Sequence, residues 1–221
     1  MRYVLVPGAG GAAWYWSRVA RLLEEAGHDA IPVDLPGDDE TQGIVEYADL
    51  VVRAAGRSDE LVLVAQSLGG FTAALVCEQL DVRGLVLVNA MIPVPGETAG
   101  DWWADVDASA AREQAADAGG YGRDFDLATY FLHDVPPEVA AEGEPYQRPE
   151  ADIAFTQKCE FTAWPKVPIR VLSGADDRLF PVDLQRRVVA ERLGIQADVL
   201  PGGHLIALAD PAGVTRYLLA G

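Results

Sequence analysis

Cysteine, histidine and basic charge are all scarce in this 221-residue chain. Two cysteines, Cys77 and Cys159, without a Cys-x-x-Cys pair, leave no disulfide framework and fit a reducing compartment. Lys and Arg total 17 against 34 Asp and Glu, a net charge of −17. The basic face that a phosphate backbone requires is therefore missing, and nucleic acid is not an expected partner. The acidity reads most simply as a solubility device, and its field disfavours anionic substrates at low ionic strength. No apolar run approaches the roughly 18 residues of a membrane span, so no membrane partner is expected. Met1, Arg2 and Tyr3 run straight into an apolar strand rather than a charged and then apolar leader, so a cytoplasmic protein is expected.

What is present is enough for a sizeable core: 50% of the residues are hydrophobic against 23% charged. Strand-like and helix-like stretches alternate without a natural cut, which predicts one domain over residues 1–221. Tyr3–Val6 reads as a first strand, followed by the glycine-rich loop PGAGGAA and a helix over Trp14–Ala26 ending at Gly27, where a left-handed cap belongs. Asp29–Val33 is a second strand and Ile44–Ala55 a second helix. Glu60–Ala65 is a third strand, leading to a helix over Phe71–Leu80. Gly84–Val88, Pro168–Leu172 and Gln196–Leu200 complete six strands. Val182–Leu193 is a helix, and Asp210-Pro211 supplies a cap and first-turn proline for the last one.

This alternation predicts a three-layer α/β fold, a parallel sheet with helices on both faces. If the first strand lies between the second and third, the strand order is 2-1-3-4-5-6, and ligands bind beyond the carboxyl ends where the winding reverses. Residues 91–165 break the pattern. They carry Trp102, Trp103, Tyr121, Phe125, Tyr130 and Phe131, and are far longer than an ordinary connection, which predicts a lid or cap insertion.

The third strand ends in AQSLGG. Ser67 has Ala65 and Gly69 two residues away on either side, then Gly70 and an apolar helix. Only small side chains fit beside so tight a strand-to-helix turn, which holds the serine hydroxyl exposed on a strained backbone. A serine nucleophile needs a base, and the base needs a carboxylate to fix its tautomer. Of three histidines, His28 falls at the wrong end of the sheet and His133 in the insertion, where it is a candidate substrate contact. His204 follows the sixth strand, at the same end as Ser67. The loop after the fifth strand, SGADDRLFP, offers Asp176 and Asp177 as the acid. Trp14 and Trp16 are candidates either for closing the pocket or for packing a helix, and Trp164 for core or hinge. PGAGGAA lacks the Gly-x-Gly-x-x-Gly spacing, which argues against a dinucleotide site.

Over nearly its whole length the chain resembles the α/β-hydrolase family, through PGAGGAAWYW at Pro7–Trp16, AQSLGG at Ala65–Gly70, and GADDRLFP at Gly174–Pro181 followed by PGGHL. Within that family the opening is similar to the methylesterase and hydroxynitrile-lyase group, although the family's first two strands are absent. The resemblance implies Asp177 as the acid, through Gly-x-x-Asp-x-x-x-Pro, and the backbone N–H groups of Ala9 and Leu68 as an oxyanion hole. Pro7 and Gln66 stand where the group customarily has histidines. Gly8 and Leu205 replace the threonine and lysine of the lyase branch, which favours hydrolysis. The implied function is a serine hydrolase of a small ester, using Ser67, His204 and Asp177 and needing no metal or organic cofactor. The rival readings are carbon-carbon cleavage or acyl transfer on the same triad, or a small-molecule receptor built on the scaffold.

Overall fold

A computed structural model describes residues 1–221. Six parallel strands, β1 (Arg2–Val6), β2 (Asp29–Pro32), β3 (Leu61–Gln66), β4 (Gly84–Val88), β5 (Ile169–Gly174) and β6 (Asp198–Leu200), form one sheet in the order β2-β1-β3-β4-β5-β6. The predicted order is the observed one. Its physical origin is visible in the strands: LVLVAQ in β3 is buried at every position, because helices cover both faces.

Alternate residues of each strand feed two cores. Val4, Val6, Leu63, Ala65, Leu85 and Leu87 pack with the helices α2 (Ile44–Ala55), α3 (Gly69–Gln79) and α9 (Val182–Leu193). Tyr3, Leu5, Val62, Val64, Val86 and Val88 face the other way, toward α1 (Ser17–Glu25), α10 (Ile206–Ala209) and α11 (Pro211–Leu219). The period-2 pleat divides one apolar run between two layers.

Helices α2 and α9 coincide with their predicted spans. The first helix does not begin at Trp14: Ala13–Trp16 forms a 3-10 turn, and the α-helix starts at Ser17. The tighter turn separates the two tryptophans, sending Trp16 into the core at 0% exposure and leaving Trp14 half-buried. Gly27 adopts φ +85°, and the Gly27 and His28 N–H groups donate to Glu24 and Leu23 carbonyls, so the expected left-handed cap forms. Strand β6 is shorter than expected, pairing three residues with β5 at the sheet edge.

The insertion between β4 and β5 holds five short helices: α4 (Ala99–Asp105), α5 (Ala108–Gly119), α6 (Leu127–Tyr130), α7 (Pro137–Gly143) and α8 (Ile153–Thr156). Its two ends are zipped by an antiparallel bridge between Thr98 and Lys158, with Gly96 and Cys159 N–H groups donating to Cys159 and Glu97 carbonyls. Its root is part of the main core: Ala99, Trp102, Cys159 and Phe161 are buried in the same cluster as α3. No helix is long and apolar enough to cross a membrane.

One ion pair locks this root to α9. Arg192 donates through Nη1 and Nη2 to the Glu97 carboxylate at 2.5 and 2.8 Å, and through Nη1 to the Ile92 carbonyl at 2.6 Å. The Glu97 and Arg192 side chains are 2% and 11% exposed, so removing one partner strands a buried charge. Arg192→Met should cost about 3–5 kcal/mol by urea unfolding, and adding Glu97→Leu should recover half or more of it. A single-variant loss below about 1 kcal/mol would contradict this.

Candidate active site

The end of β3 turns into α3 through Ser67, whose φ of +51° is left-handed and unfavourable for a residue with a Cβ. Backbone bonds hold it there: the Ser67 N–H donates to the Val88 carbonyl, and the Ser67 carbonyl accepts from Gly70 and Met91. A Cβ on Gly69 would fall 2.5 Å from the Pro7 carbonyl oxygen, and one on Gly8 would fall 2.7 Å from the Ser67 Cβ. The turn and the glycine-rich loop are thus both held to glycine where they meet.

His204 follows β6 and is fully buried. Its Nδ1 lies 2.8 Å from Asp177 Oδ2 and its Nε2 3.0 Å from Ser67 Oγ. An ionised carboxylate can only accept, so Nδ1 carries the ring proton and Nε2 presents a lone pair to the serine hydroxyl. Asp177 Oδ1 accepts from the Leu179 and Phe180 N–H groups at 2.9 Å, and Oδ2 also accepts from Gln185 Nε2 at 3.1 Å. Asp176 does separate work: its carboxylate accepts from the Gly202 N–H at 3.2 Å, stapling the acid loop to the histidine loop. The His204 ring is flanked edge-on by Phe131 and Phe180, with centroids 5.2 and 5.1 Å away.

These groups open onto a cavity of about 790 Å³, lined by Ser67, His204, Ala9, Leu68 and Trp14 together with aromatic and aliphatic side chains of the insertion. The Ala9 and Leu68 N–H groups make no backbone hydrogen bond, and Leu68 is the N-cap of α3. Trp14 stacks on Tyr146 of the insertion, with centroids 5.6 Å apart.

His133 is not among the residues that line the cavity. Its Nε2 is buried without a hydrogen-bond partner, 3.9 Å from Asp134 Oδ1 and against Gly203, while its neighbour Leu132 faces the cavity. Asp134 draws this segment down by accepting the Gly203 N–H at 2.5 Å. Trp16 is core, and Trp164 donates to the Pro93 carbonyl near the insertion root. His28 lies against the amino terminus and Tyr3, at the opposite end of the sheet.

Several positioning groups carry no motif. Asn89, fully buried at φ +45°, donates through Nδ2 to the Gly203 and His204 carbonyls and accepts the Gly174 N–H at 2.7 Å. It thereby ties the end of β4 to both the acid and the histidine loops. On the other side, the Gly10 N–H donates to Glu150 at 2.6 Å, and Arg148 donates to the Gly10 carbonyl at 3.0 Å. Arg148 also forms a two-pronged pair with Asp34, so the insertion clasps the glycine-rich loop. Burial holds the Glu150 carboxyl above the usual carboxylate range, opposed by hydrogen bonds from Tyr47 and Gly10. Burial also pushes the thiols of Cys77 and Cys159 up to about 12, so neither supplies a thiolate near neutral pH. No group of three or more His, Cys, Asp or Glu side chains is arranged to hold a metal ion.

Asn89→Ala removes a buried donor shared by two carbonyls and an acceptor for Gly174. It should lower unfolding free energy by about 2–4 kcal/mol in urea; a change under about 0.5 kcal/mol would show that these groups find other partners.

Comparison with known proteins agrees with this architecture. The model of the alpha/beta hydrolase family matches residues 3–216. The probable esterase PIR7A of Oryza sativa subsp. indica is 36% identical over 110 residues, covering 44% of this chain and 42% of the relative. Methylesterase 9 of Arabidopsis thaliana is 29% identical over 156 residues, covering 65% of this chain and 58% of the relative. The chain thus spans less than two thirds of the length of either curated relative. Among solved structures, polyneuridine aldehyde esterase superposes with a TM-score of 0.77 at 22% identity, covering 99% of this chain and 98% of that one. The methylesterase MES16 from Arabidopsis gives 0.78 at 22%, covering 100% and 98%. From the six-stranded sheet, the serine turn and a family match over nearly its full length, the chain belongs to the alpha/beta hydrolase family.

Proposed function

We propose that this protein is a serine esterase acting on a small carboxylic ester through an acyl-enzyme. The observation that carries the reading is the continuous relay from Ser67 Oγ to His204 Nε2 and from His204 Nδ1 to Asp177, at 3.0 and 2.8 Å in a buried setting. The esterase and methylesterase names of the relatives support an ester as the substrate.

Ser67 Oγ attacks the ester carbonyl while His204 Nε2 takes the hydroxyl proton, and Asp177 stabilises the imidazolium. The carbonyl oxygen becomes an oxyanion facing the Ala9 and Leu68 N–H groups, two donors free of backbone acceptors. Collapse breaks the bond to the alcohol, which leaves with the proton held by His204. A water molecule, deprotonated by His204, then attacks the acyl-serine. Its collapse releases the carboxylic acid and returns the proton to Ser67. Residues 91–165 act as the cap that keeps the acyl group among apolar side chains. The pocket face of Trp14 serves as a substrate contact.

A fluorophosphonate should transfer its phosphonyl group to Ser67 alone with loss of fluoride, read by intact mass and peptide mapping, and the adduct should be absent in His204→Ala. Ser67→Ala should keep the wild-type melting temperature within a few degrees and lose about 10⁴-fold or more in kcat/KM for a short-chain ester. Unchanged esterase activity in that variant would overturn the assignment.

A further inference from the structure

The largely apolar cavity holds one cation without a protein counter-charge. Arg112, on α5, lines the same cavity as Ser67 and His204. Its Nε and Nη1 are shut off from solvent and have no hydrogen-bond partner. Its chain neighbour Glu113 pairs with Arg123 instead. The other charged side chains of the lining are engaged: Arg148 with Asp34, Glu150 with Gly10 and Tyr47, and His204 with Asp177.

What Arg112 does contact are aromatic faces. The guanidinium carbon lies 5.0 Å from the Tyr130 ring centroid and 6.0 Å from that of Phe125. Such contacts stabilise the cation through its flat face. They leave the N–H donors of Nε and Nη1 unused, and buried donors without acceptors are costly. The apolar path from the catalytic histidine to this charge is continuous: the Phe131 ring meets His204 at 5.2 Å and Phe125 at 5.7 Å, and Phe125 in turn meets Arg112. Phe125 is 58% exposed, so Arg112 sits toward the outer end of the cavity.

We propose that Arg112 is a specificity-determining residue that receives a carboxylate at the far end of the ester substrate, the spacer between lying along Phe125 and Phe131. This rests on the esterase reading of the same site and narrows its substrate class to esters bearing a remote carboxylate. A planar guanidinium matches a carboxylate with two parallel N–H···O bonds, and an apolar surround with few placed polar groups is how small-molecule sites fix orientation. The net charge of −17 repels such a substrate at long range, but that repulsion is screened by salt whereas a buried contact is not. Arg112 therefore supplies a local attraction that the overall composition conceals.

The test compares matched esters by acid release at constant pH: monomethyl suberate against methyl octanoate, and ω-acetoxyhexanoate against hexyl acetate. In the wild type the carboxylate member of at least one pair should have the higher kcat/KM. In Arg112→Met the acid-to-neutral ratio should fall at least about 30-fold, mainly through KM, with Arg112→Lys between the two. Should Arg112→Met fail to fold by circular dichroism, the lysine variant carries the comparison, because it keeps the charge and loses the fork. A ratio that does not change, or no preference for the acid in either pair, would overturn the proposal. Absence of any hydrolysis would sink the esterase reading and leave the subsite to be judged by calorimetry. Suberate and ω-acetoxyhexanoate are then titrated into Ser67→Ala with and without Arg112→Met. Arg112-dependent binding supports the subsite without the esterase, and no binding to either protein overturns it.

Discussion

Everything at the candidate site depends on one strained residue, Ser67 at φ +51°. A left-handed backbone on a residue with a Cβ costs about 1–3 kcal/mol, so it persists only where surrounding contacts over-determine it. Here the peptide groups on both sides of Ser67 are bonded to β4 and to the chain leaving it, and the space beside its Cβ is occupied by the glycine-rich loop. The strain is therefore borne by the centre of the sheet, where β3 is buried at every position and its register is fixed by neighbours on both sides. A serine in a surface loop could not be held in this way.

The segment between β4 and β5 contacts the candidate site from two sides. Through Asp134 it holds the Gly203 N–H beside His204, and through Arg148 and Glu150 it grips both backbone groups of Gly10, next to Ala9. Its root is welded to the main core by Trp102 and by the Glu97–Arg192 pair. Its outer helices contribute the aromatic wall and Arg112. Movement of the outer part would thus be felt in the glycine-rich loop and the histidine loop, while the root stays in place.

Local patterns make much of this legible in the sequence. An unbroken apolar run such as LVLVA cannot sit at a solvated face, and Gly27 after an amphipathic helix announces a left-handed cap; both follow from near neighbours in the chain. The serine turn is legible because its small flanking residues are a steric requirement acting over a few positions. The start of the first helix is not, because the 3-10 turn at Ala13–Trp16 follows from where each tryptophan packs, and helical spacing cannot register that. The placement of His133 escapes for a similar reason: whether His133 or Leu132 faces the cavity is decided by the bond from Gly203 to Asp134, 69 residues apart.

By itself the sequence determined the layered α/β architecture and its six strands, since periodicity and turn sterics are local properties written residue by residue, and it offered Ser67, His204 and the Asp176–Asp177 pair as candidates for nucleophile, base and acid. Tertiary structure decided what the resemblance could only suggest for Asp177, that it meets His204 while Asp176 staples two loops, and it alone decided that Asn89 ties the end of β4 to the acid and histidine loops and that Arg112 lies in the cavity without a counter-charge. Each of these depends on the distance between groups far apart in the chain, and that distance exists only once the sheet has closed and the insertion has packed against it.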